Sequence, residues 1–207
     1  SGVAGVIRGV GQDGAAASFG VLPPFLLQHA AGHYTGVHIE TAGNQVRDAK
    51  GMKLNLDIKD VRVEDTATSS GSLGSLVADI DWTTEGIKET IQGAIPLVGS
   101  FVTGVTTNAT DGTIELEGAL GSIIARPEVV DGGISLQVQQ VTGLGFTLPR
   151  EAVQPALDAF TSKLTQDYPM NIRADSVQVT DSGVVSRFST TNQSMPKQTE
   201  DPCFAGI

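Results

Sequence analysis

Three histidines lie close together in the chain: His29, His33 and His38. On a helix, His29 and His33 would share one face, as the i and i+4 ligands of zinc sites do, and His38 or Glu40 could add a third ligand. Gly32 weakens such a helix, and no glutamate follows His29 to complete an H-E-x-x-H motif. The spacing therefore favours surface or interface histidines over a metal site.

A second group that could do chemistry is the set of carboxylates around Trp82, namely Asp79, Asp81 and Glu85. Pairs of carboxylic acids can hydrolyse glycosides, with one acting as the acid and the other as base or nucleophile. Asp79 and Asp81 are i and i+2, so on a β-strand both point to the same face. A polar strand face in water explains this pattern more simply than a catalytic pair does.

The third motif is Gly9-Val10-Gly11-Gln12-Asp13-Gly14, which matches G-x-G-x-x-G. A dinucleotide site needs a strand before this motif, a helix after it and an acidic residue about 20 positions further on. The segment 15–19 is soon followed by Pro23-Pro24, which leaves no room for a useful helix, and the next acidic residue is Glu40. The motif therefore predicts a glycine-rich turn between strands.

The composition excludes several classes of protein. The 207 residues carry 13 Lys and Arg against 23 Asp and Glu, so the net charge of −10 repels nucleic acids. Charged residues make up 17% and hydrophobic residues 40% of the chain, which is typical of a folded protein. The single cysteine, Cys203, excludes an internal disulfide and a CxxC zinc site. No apolar run reaches the roughly 20 residues of a membrane-spanning helix.

The elements that must position any site are mostly strands, because apolar and polar residues alternate along much of the chain. This alternation favours antiparallel sheets with one buried face. Over 52–65, the apolar positions change from even to odd numbers near Lys59-Asp60, which predicts one bent strand or two strands. A similar break occurs at Gln139-Gln140, after the alternating residues 134–138.

Two segments, 84–102 and 150–166, have the periodicity of amphipathic helices. Pro155 should kink the second helix or move its start to a later residue. A shorter helix is predicted over Phe25–Tyr34.

The end of the chain divides into a hairpin and a tail. Residues 177–188 alternate around the turn Asp181-Ser182-Gly183, which predicts a β-hairpin. We therefore expect a single α+β domain over 1–189, followed by a polar C-terminal tail, mobile or loosely packed, over 190–207.

Several segments resemble a known family. Gly20-Val21-Leu22-Pro23-Pro24-Phe25-Leu26-Leu27-Gln28, followed by Gly32-His33-Tyr34 and a strand, is similar to the G-x-P-F-L-x-Q segment of the LmeA-like phospholipid-binding proteins of actinobacterial envelopes. The hairpin from Ala174 to Val184 is similar to a late hairpin of that family, and Pro202-Cys203-Phe204 resembles the ending of a mycobacterial member. The doubled proline and Leu27 depart from the family pattern.

The resemblance implies a fold, a location and a role. The implied fold is a long curved antiparallel β-sheet wrapped around one or two amphipathic helices, as in tubular lipid-binding domains. The implied role is that of a non-enzymatic phospholipid-binding or carrier protein of the bacterial cell envelope or periplasm, acting in mannan or lipomannan elongation. The implied partners are phospholipid, the membrane surface and the envelope glycosyltransferase machinery, with no cofactor and no metal. We expect that removal of an N-terminal signal or anchor leaves Ser1 as the first residue.

For a lipid with this role, the candidate contacts to the acyl chains are the apolar stripes of the two predicted helices: Ile87, Ile91, Ile95, Val98, Val153, Leu157, Phe160 and Leu164. An anionic head group would be repelled by the net charge, so it needs a basic site within about 8–10 Å, the screening length in physiological salt. The candidate head-group residues are Arg47, Lys50, Lys53 and Arg150. The amide groups at the start of the second helix could also face a phosphate.

Two other functions stay open at this point. One is an envelope hydrolase that would use the carboxylates around Trp82 or the histidines. The other is a scaffold for polysaccharide synthesis that has no lipid ligand.

Overall fold

The structure, a computed structural model, describes residues 15–19, 32–43, 45–46, 49–64, 66–95, 98–143, 150–165 and 169–196. In chain order its elements are β1 (Ala15–Phe19), β2 (His33–Thr41), β3 (Gln45–Val46), β4 (Ala49–Lys50), β5 (Met52–Val63), β6 (Ser69–Thr83), α1 (Thr84–Ala94), α2 (Val98–Phe101), β7 (Gly104–Asn108), β8 (Thr113–Gly118), β9 (Gly121–Val130), β10 (Gly133–Gly143), α3 (Arg150–Thr165), a 3₁₀ turn (Pro169–Asn171), β11 (Arg173–Thr180) and β12 (Gly183–Pro196).

The described strands form two main sheets and a short hairpin. The large sheet has the order β1-β2-β5-β6-β12-β11, the small sheet has the order β10-β9-β8-β7, and β3 pairs with β4. Neighbouring strands are antiparallel throughout. The predicted α+β class with antiparallel strands is confirmed, although the strands are divided between two sheets instead of forming one long sheet.

The large sheet has an apolar inner face and a polar outer face. On β5, the side chains of Leu54, Leu56 and Ile58 are buried, and the residues between them are polar. Ile58 lies between Val37 of β2 and Leu76 of β6, which are also buried. The period of two along each strand therefore produces one continuous apolar surface across the sheet.

The change of phase near Lys59-Asp60 occurs inside a single strand. Asp60 has a φ of 53°, and beyond it the buried position moves to Val61. Aspartate is one of the few residue types that adopt this left-handed conformation readily. The one-strand alternative of the prediction is thus confirmed, because the irregular residue returns the apolar side chains to the inner face.

The second predicted break is a β-bulge in β10. Val138 lies opposite Ala125 of β9, whereas Gln140 lies opposite Ile124, so Gln139 is the additional residue. Beyond the bulge, Val141 lies opposite the buried Ile123. Without it, Val141 would point to the outer face of the small sheet.

The segment 84–102 forms two helices instead of one. The Thr83 hydroxyl caps α1 by accepting a hydrogen bond from the Gly86 amide at 3.1 Å. The helix ends at Ala94 because Ile95 precedes Pro96, and a residue before proline disfavours the helical conformation; its φ is −109° and its ψ is 108°.

The other helix and the tail also differ in detail from the prediction. Helix α3 begins at Arg150, so Pro155 lies inside it and does not move its start. Residues 190–196 belong to β12, where they pair with β6, so this part of the predicted loose tail is ordered sheet. Within this stretch Thr190 and Met195 are buried, and the Thr190 hydroxyl donates a hydrogen bond to the Met170 carbonyl at 2.8 Å. Residues 197–207 lie outside the described part.

The core of the described residues has two parts. The helix cluster lies among α1, α2, α3, the small sheet and β11; its buried members are Ile87, Ile91, Ile95, Val98, Val102, Val105, Ile114, Leu116, Ile123, Ala125, Val153, Leu157, Phe160 and Val179. The sheet cluster covers the inner face of the large sheet; its buried members are Tyr34, Val37, Ile39, Leu54, Leu56, Ile58, Val61, Leu73, Leu76, Ala78, Ala174, Phe188 and Met195.

A close backbone contact attaches α1 to the turn after β4. Thr90 accepts a hydrogen bond from the Lys50 amide at 2.9 Å and donates one to the Gly86 carbonyl at 2.7 Å. Gly86 and Gly51 are so close that a Cβ atom on Gly86 would overlap the Lys50 carbonyl oxygen. This junction therefore requires glycine at position 86, for reasons of space.

We expect Gly86→Ala to destabilise the protein by about 1–3 kcal/mol, because the overlap with a backbone atom exceeds the gain in helix propensity. The matched control is Gly93→Ala in the same helix, where a Cβ atom meets nothing within 4 Å. That change should stabilise by about 0.5 kcal/mol. Urea unfolding of both variants measures the difference, and equal effects would contradict this account of the junction.

Candidate functional site

The structure brings the eight predicted acyl-contact residues together in one place. Ile87, Ile91, Ile95, Val98, Val153, Leu157 and Phe160 are buried members of the helix cluster, and Leu164 packs against it with part of its surface exposed. The two apolar stripes recognised in the sequence therefore face a common interior, although α1 and α3 are far apart in the chain.

Much of this interior is filled by protein. Ile91, Val98, Val153 and Leu157 have no accessible surface. A side chain without accessible surface lines no space that could hold even a water molecule, so it cannot line an open channel for an acyl chain. Contact between these four residues and a lipid requires that a neighbouring element moves, and their role stays a prediction.

The helix cluster reaches the surface in several places, one of which is formed by α3 and β10. Five of the apolar residues that pack against the cluster and keep some exposure are on these two elements, and we call them the α3–β10 seam: Leu136, Val138, Val141, Ala156 and Leu164. An apolar ligand could reach these side chains with the least rearrangement. The bulge at Gln139 contributes to the seam because it keeps Val141 on the same side as Leu136 and Val138.

One side chain closes the seam by hydrogen bonds. Strand β10 is the edge of the small sheet, and Gln154 of α3 pairs with its free backbone. The Gln154 Oε1 atom accepts from the Val138 amide at 2.8 Å, and its Nε2 atom donates to the Leu136 carbonyl at 2.9 Å. Nε2 also donates to Asp158 Oδ1 at 2.8 Å, which fixes the orientation of the amide. A helical glutamine thus replaces the missing neighbouring strand.

Aromatic packing joins α3 to the large sheet. The rings of Trp82 on β6 and Phe160 on α3 are stacked with centroids 6.5 Å apart. The indole Nε1 atom of Trp82 donates to the Lys50 carbonyl at 2.8 Å. Trp82 therefore connects α3 with the same junction that holds α1.

The inner face of the large sheet continues the apolar surface beyond the seam. The residues that pack against the sheet cluster and keep some exposure are Met52, Ile80, Ile134, Met170 and Ile172. Ile134 belongs to the same strand as Leu136 and Val138, so β10 contributes to both clusters.

The carboxylates around Trp82 are engaged in ion pairs. Both carboxylate oxygens of Asp79 accept from Arg187, at 2.8 and 3.3 Å, and Glu85 pairs with Lys88 at 2.6 Å. Asp81 lies opposite Lys53 in the sheet. Asp79 and Asp81 share the polar outer face, as their spacing predicts, and their side chains face water.

The outer face also holds one of the predicted head-group residues. Lys53 Nζ lies 2.7 Å from Glu40 Oε1, and this hydrogen bond together with the opposite charge raises the pKa of Lys53 and lowers the pKa of Glu40. Because Lys53 alternates with Leu54, it points away from the apolar interior. Its position therefore argues against contact with the head group of a lipid held on the inner side.

The other head-group candidates stay predictions. Lys50 is exposed on β4, with its backbone fixed by Thr90 and Trp82. Arg150 is the first residue of α3, as predicted, and its side chain lies outside the described part, as does Arg47.

Two of the three clustered histidines, His33 and His38, lie on strand β2 and not on a helix. His33 is in β2, where its Nε2 atom lies 3.7 Å from Asp60, and His38 Nδ1 lies 2.7 Å from Asp57. Across the described residues, no three metal-binding side chains come together, and no helix is long and apolar enough to span a membrane. His29 and the motif Gly9–Gly14 lie outside them, and the element after that motif is the strand β1 instead of the helix that a nucleotide site needs.

The family model described as LmeA-like phospholipid-binding matches residues 18–189. The chain belongs to this family. Its match includes both main sheets except part of β1 and the end of β12, so it covers the α3–β10 seam, the helix cluster and all of the sheet cluster except Met195. The segment Gly20–Gln28, on which the resemblance first rested, lies within the match but outside the described residues.

Mycobacterial proteins are similar to nearly the whole of this chain. Uncharacterized proteins of Mycobacterium bovis and of two strains of Mycobacterium tuberculosis are 52% identical to it over 206 residues. The alignment covers 99% of this chain and 59% of each relative, so the chain spans little more than half of their length. No solved structure is significantly similar to it.

The sequence did not single out the residues of the seam on β10 or the glutamine that closes it. Leu136 and Val138 are recognisable as one face of a strand, but the pattern does not reveal that this strand is an edge covered by α3. Gln154 resembles any polar residue beside an apolar helical stripe. The sequence feature that pointed to this face was the bulge at Gln139. A bulge that keeps Val141 on the inner side of the strand indicates that this side must stay buried.

We expect Gln154→Ala to destabilise the protein by about 1–2 kcal/mol, because the Val138 amide and the Leu136 carbonyl lose their partners in a half-buried position. Hydrogen exchange of the Val138 amide should become faster, while exchange in the large sheet should not change. Urea unfolding and exchange detected by NMR measure the two effects.

The companion variant is Gln154→Glu, which keeps the acceptor but places a carboxylate beside the Leu136 carbonyl and Asp158. Its stability loss should shrink as the pH falls and the new carboxyl group becomes a donor again. Unchanged protection of Val138 in Gln154→Ala would show that the amide pair does not hold α3 on the strand.

Proposed function

We propose that this protein is a non-enzymatic phospholipid carrier that holds acyl chains along the α3–β10 seam. The observation that carries the proposal is the seam itself: a row of partly exposed apolar side chains between a helix and an edge strand, in a chain of a phospholipid-binding family. The ion pairing of Asp79 and Glu85 supports binding without catalysis, because neither carboxylate is placed as an acid or a base.

The energetics of transfer suit a carrier. Removing a methylene group from water gains about 0.8 kcal/mol, so a chain of about 16 carbons gains on the order of 12 kcal/mol on leaving water. A bilayer offers the same gain, so the net free energy of moving a lipid from bilayer to seam is close to zero from this contribution. Uptake and release are then both feasible, and selectivity depends on the head group and on the shape of the seam.

Uptake requires that α3 moves away from β10. The buried centre of the helix cluster is solid, and α3 carries three of its residues: Val153, Leu157 and Phe160. The contacts to be broken are the amide pair of Gln154, the stacking of Phe160 on Trp82 and the apolar packing of Val153 and Leu157, which an incoming acyl chain would replace. An acyl chain that replaces α3 against Leu136 and Val138 would then reach the eight residues predicted from the helical stripes.

The cellular setting belongs to the same proposal. A carrier of this family in the bacterial cell envelope or periplasm would contact the membrane surface and deliver lipid to the glycosyltransferase machinery of mannan or lipomannan elongation. The resemblance of the chain end to a mycobacterial member of the family supports this setting, as does the identity of 52% with mycobacterial relatives.

Organic extraction of the purified protein, followed by mass spectrometry, tests for bound phospholipid. We expect co-purified phospholipid and a rise in the midpoint of thermal unfolding when phospholipid is added. Absence of both would leave a scaffold without a lipid ligand as the better explanation.

Two variants of β10 locate the site. Val138→Asp places a carboxylate in the seam and should lower lipid uptake at least tenfold, because an acyl chain cannot solvate the charge. Gln137→Asp, on the outward face of the same strand, should bind lipid like the unmodified protein. Uptake of a fluorescent phospholipid measures both, with circular dichroism as the control for folding. Equal uptake by the two variants would place the lipid elsewhere.

A further inference from the structure

One end of the small sheet carries the most exposed large apolar side chain of the described residues. Leu120, in the turn between β8 and β9, is 58% exposed. Its neighbour Ala119 is exposed as well, and Phe101 at the end of α2 lies against Gly118 with part of its ring accessible. We call this surface the Leu120 end; it consists of Phe101, Gly118–Gly121 and Gly143.

The Leu120 turn is held in a defined shape by close backbone contacts. Gly121 and Gly143 are paired across β9 and β10, with φ values of 156° and 75°. A Cβ atom on Gly143 would overlap the Leu120 carbonyl oxygen, and one on Gly121 would overlap the Thr142 carbonyl oxygen. Only glycine fits both positions, so Leu120 is presented to the solvent by a tightly packed turn.

The residues of the Leu120 end carry no charged side chain, and Glu117 of β8 directly precedes Gly118. Residues 98–104, 118–125 and 132–143 lack Asp, Glu, Lys and Arg altogether, in a chain that carries 36 such residues, the sum of 13 and 23. Glu117 lies opposite Gly104 on the outer face and accepts a hydrogen bond from the Thr106 hydroxyl at 3.1 Å.

The low charge of the Leu120 end favours this side of the protein for an approach to a membrane. The protein's net charge of −10 repels an anionic surface, and salt screens this repulsion over about 8–10 Å, so the repulsion is smaller for an approach through an end that carries few charged groups. The Leu120 end is the charge-free part of the described surface that also exposes a large apolar side chain. A bilayer interface accepts such a side chain because its tail region is apolar.

The Leu120 end also adjoins the α3–β10 seam. Gly143 is two residues beyond Val141, the last seam residue of β10, which corresponds to about 7 Å along a strand. A lipid leaving a bilayer that touches Leu120 would therefore have only a short distance to cross before it meets the seam.

From these observations we infer that the protein docks on phospholipid bilayers through the Leu120 end, with Leu120 inserted into the interface and the seam opening beside it. This inference rests on the proposed function, because it assigns the surface through which the carrier collects and releases its lipid.

The test compares Leu120→Asp with Val130→Asp. Leu120 directly precedes β9, and Val130 is the last residue of that strand and is 44% exposed. Both variants should fold, because both side chains project into solvent. In co-sedimentation with phosphatidylcholine vesicles, Leu120→Asp should lose at least tenfold in binding, and Val130→Asp should lose less than twofold. The milder Leu120→Ser should show an intermediate loss, and transfer of a fluorescent lipid between vesicles should slow in the same order.

A second measurement separates docking from lipid binding. Monomeric lysophosphatidylcholine, below the concentration at which it forms micelles, presents an acyl chain without a membrane, so Leu120→Asp should bind it like the unmodified protein. The docking inference alone would be wrong if Leu120→Asp bound both lysolipid and vesicles like the unmodified protein. It would also be wrong if Val130→Asp lost as much vesicle binding as Leu120→Asp. Failure of the unmodified protein to bind lysolipid would overturn the proposed function and the docking inference with it. If light scattering shows a dimer that only Leu120→Asp disrupts, while vesicle binding persists, the Leu120 end is a contact between copies of the chain.

Discussion

The central constraint on this molecule is that each of its two sheets has one apolar face that must be removed from water. Because side chains alternate along a strand, long strands such as β5 and β12 produce extended apolar surfaces that their own sheet cannot cover. The helices and the opposing small sheet cover one part, and this packing forms the helix cluster. The irregular residues Asp60 and Gln139 serve the same constraint, since each restores the apolar side chains to the inner face after a change of phase.

A second constraint is that backbone polar groups at sheet edges need partners. At the edge of β10 the partner is the side chain of Gln154, which is a weaker and more reversible attachment than a further strand would be. Helix α3 also contributes the buried side chains of Val153, Leu157 and Phe160 to the helix cluster, so separating it from β10 exposes apolar surface as well as breaking the amide pair. The proposed carrier would open at this boundary between α3 and β10.

The outer face of the large sheet carries charged side chains that are exposed to water. There the pairs Asp79–Arg187, Glu40–Lys53 and His38–Asp57 lie in water, and pairs in such exposed positions contribute little to the free energy of folding. Their effect is to keep this face soluble and to fix which side of each strand is outside. The concentration of charge on this face contrasts with its absence at the Leu120 end, so the protein has distinct surfaces for water and for an apolar partner.

The elements of the fold were largely predictable because they depend on local periodicity. The strand through Asp60, the bulge at Gln139, the hairpin around Ser182 and the two amphipathic helices all leave a signal within a few consecutive residues. The division into two sheets, the break of the first helix at Ile95 and the strand over 190–196 were not predicted. The two sheets and the strand over 190–196 depend on pairing between distant segments. The break at Ile95 depends on Pro96, and the apolar periodicity does not show at which residue the helix ends.

The sequence by itself determined the alternation that makes one-faced strands, the apolar stripes of α1 and α3, and the membership in a phospholipid-binding family. Only the tertiary structure decided that these stripes meet in one interior, that Lys53 points away from it, and that β10 is an edge closed by Gln154. The physical reason is that periodicity and turn chemistry act over a few residues, whereas edge positions, solvent exposure and pairing partners arise from contacts between segments that are far apart in the chain.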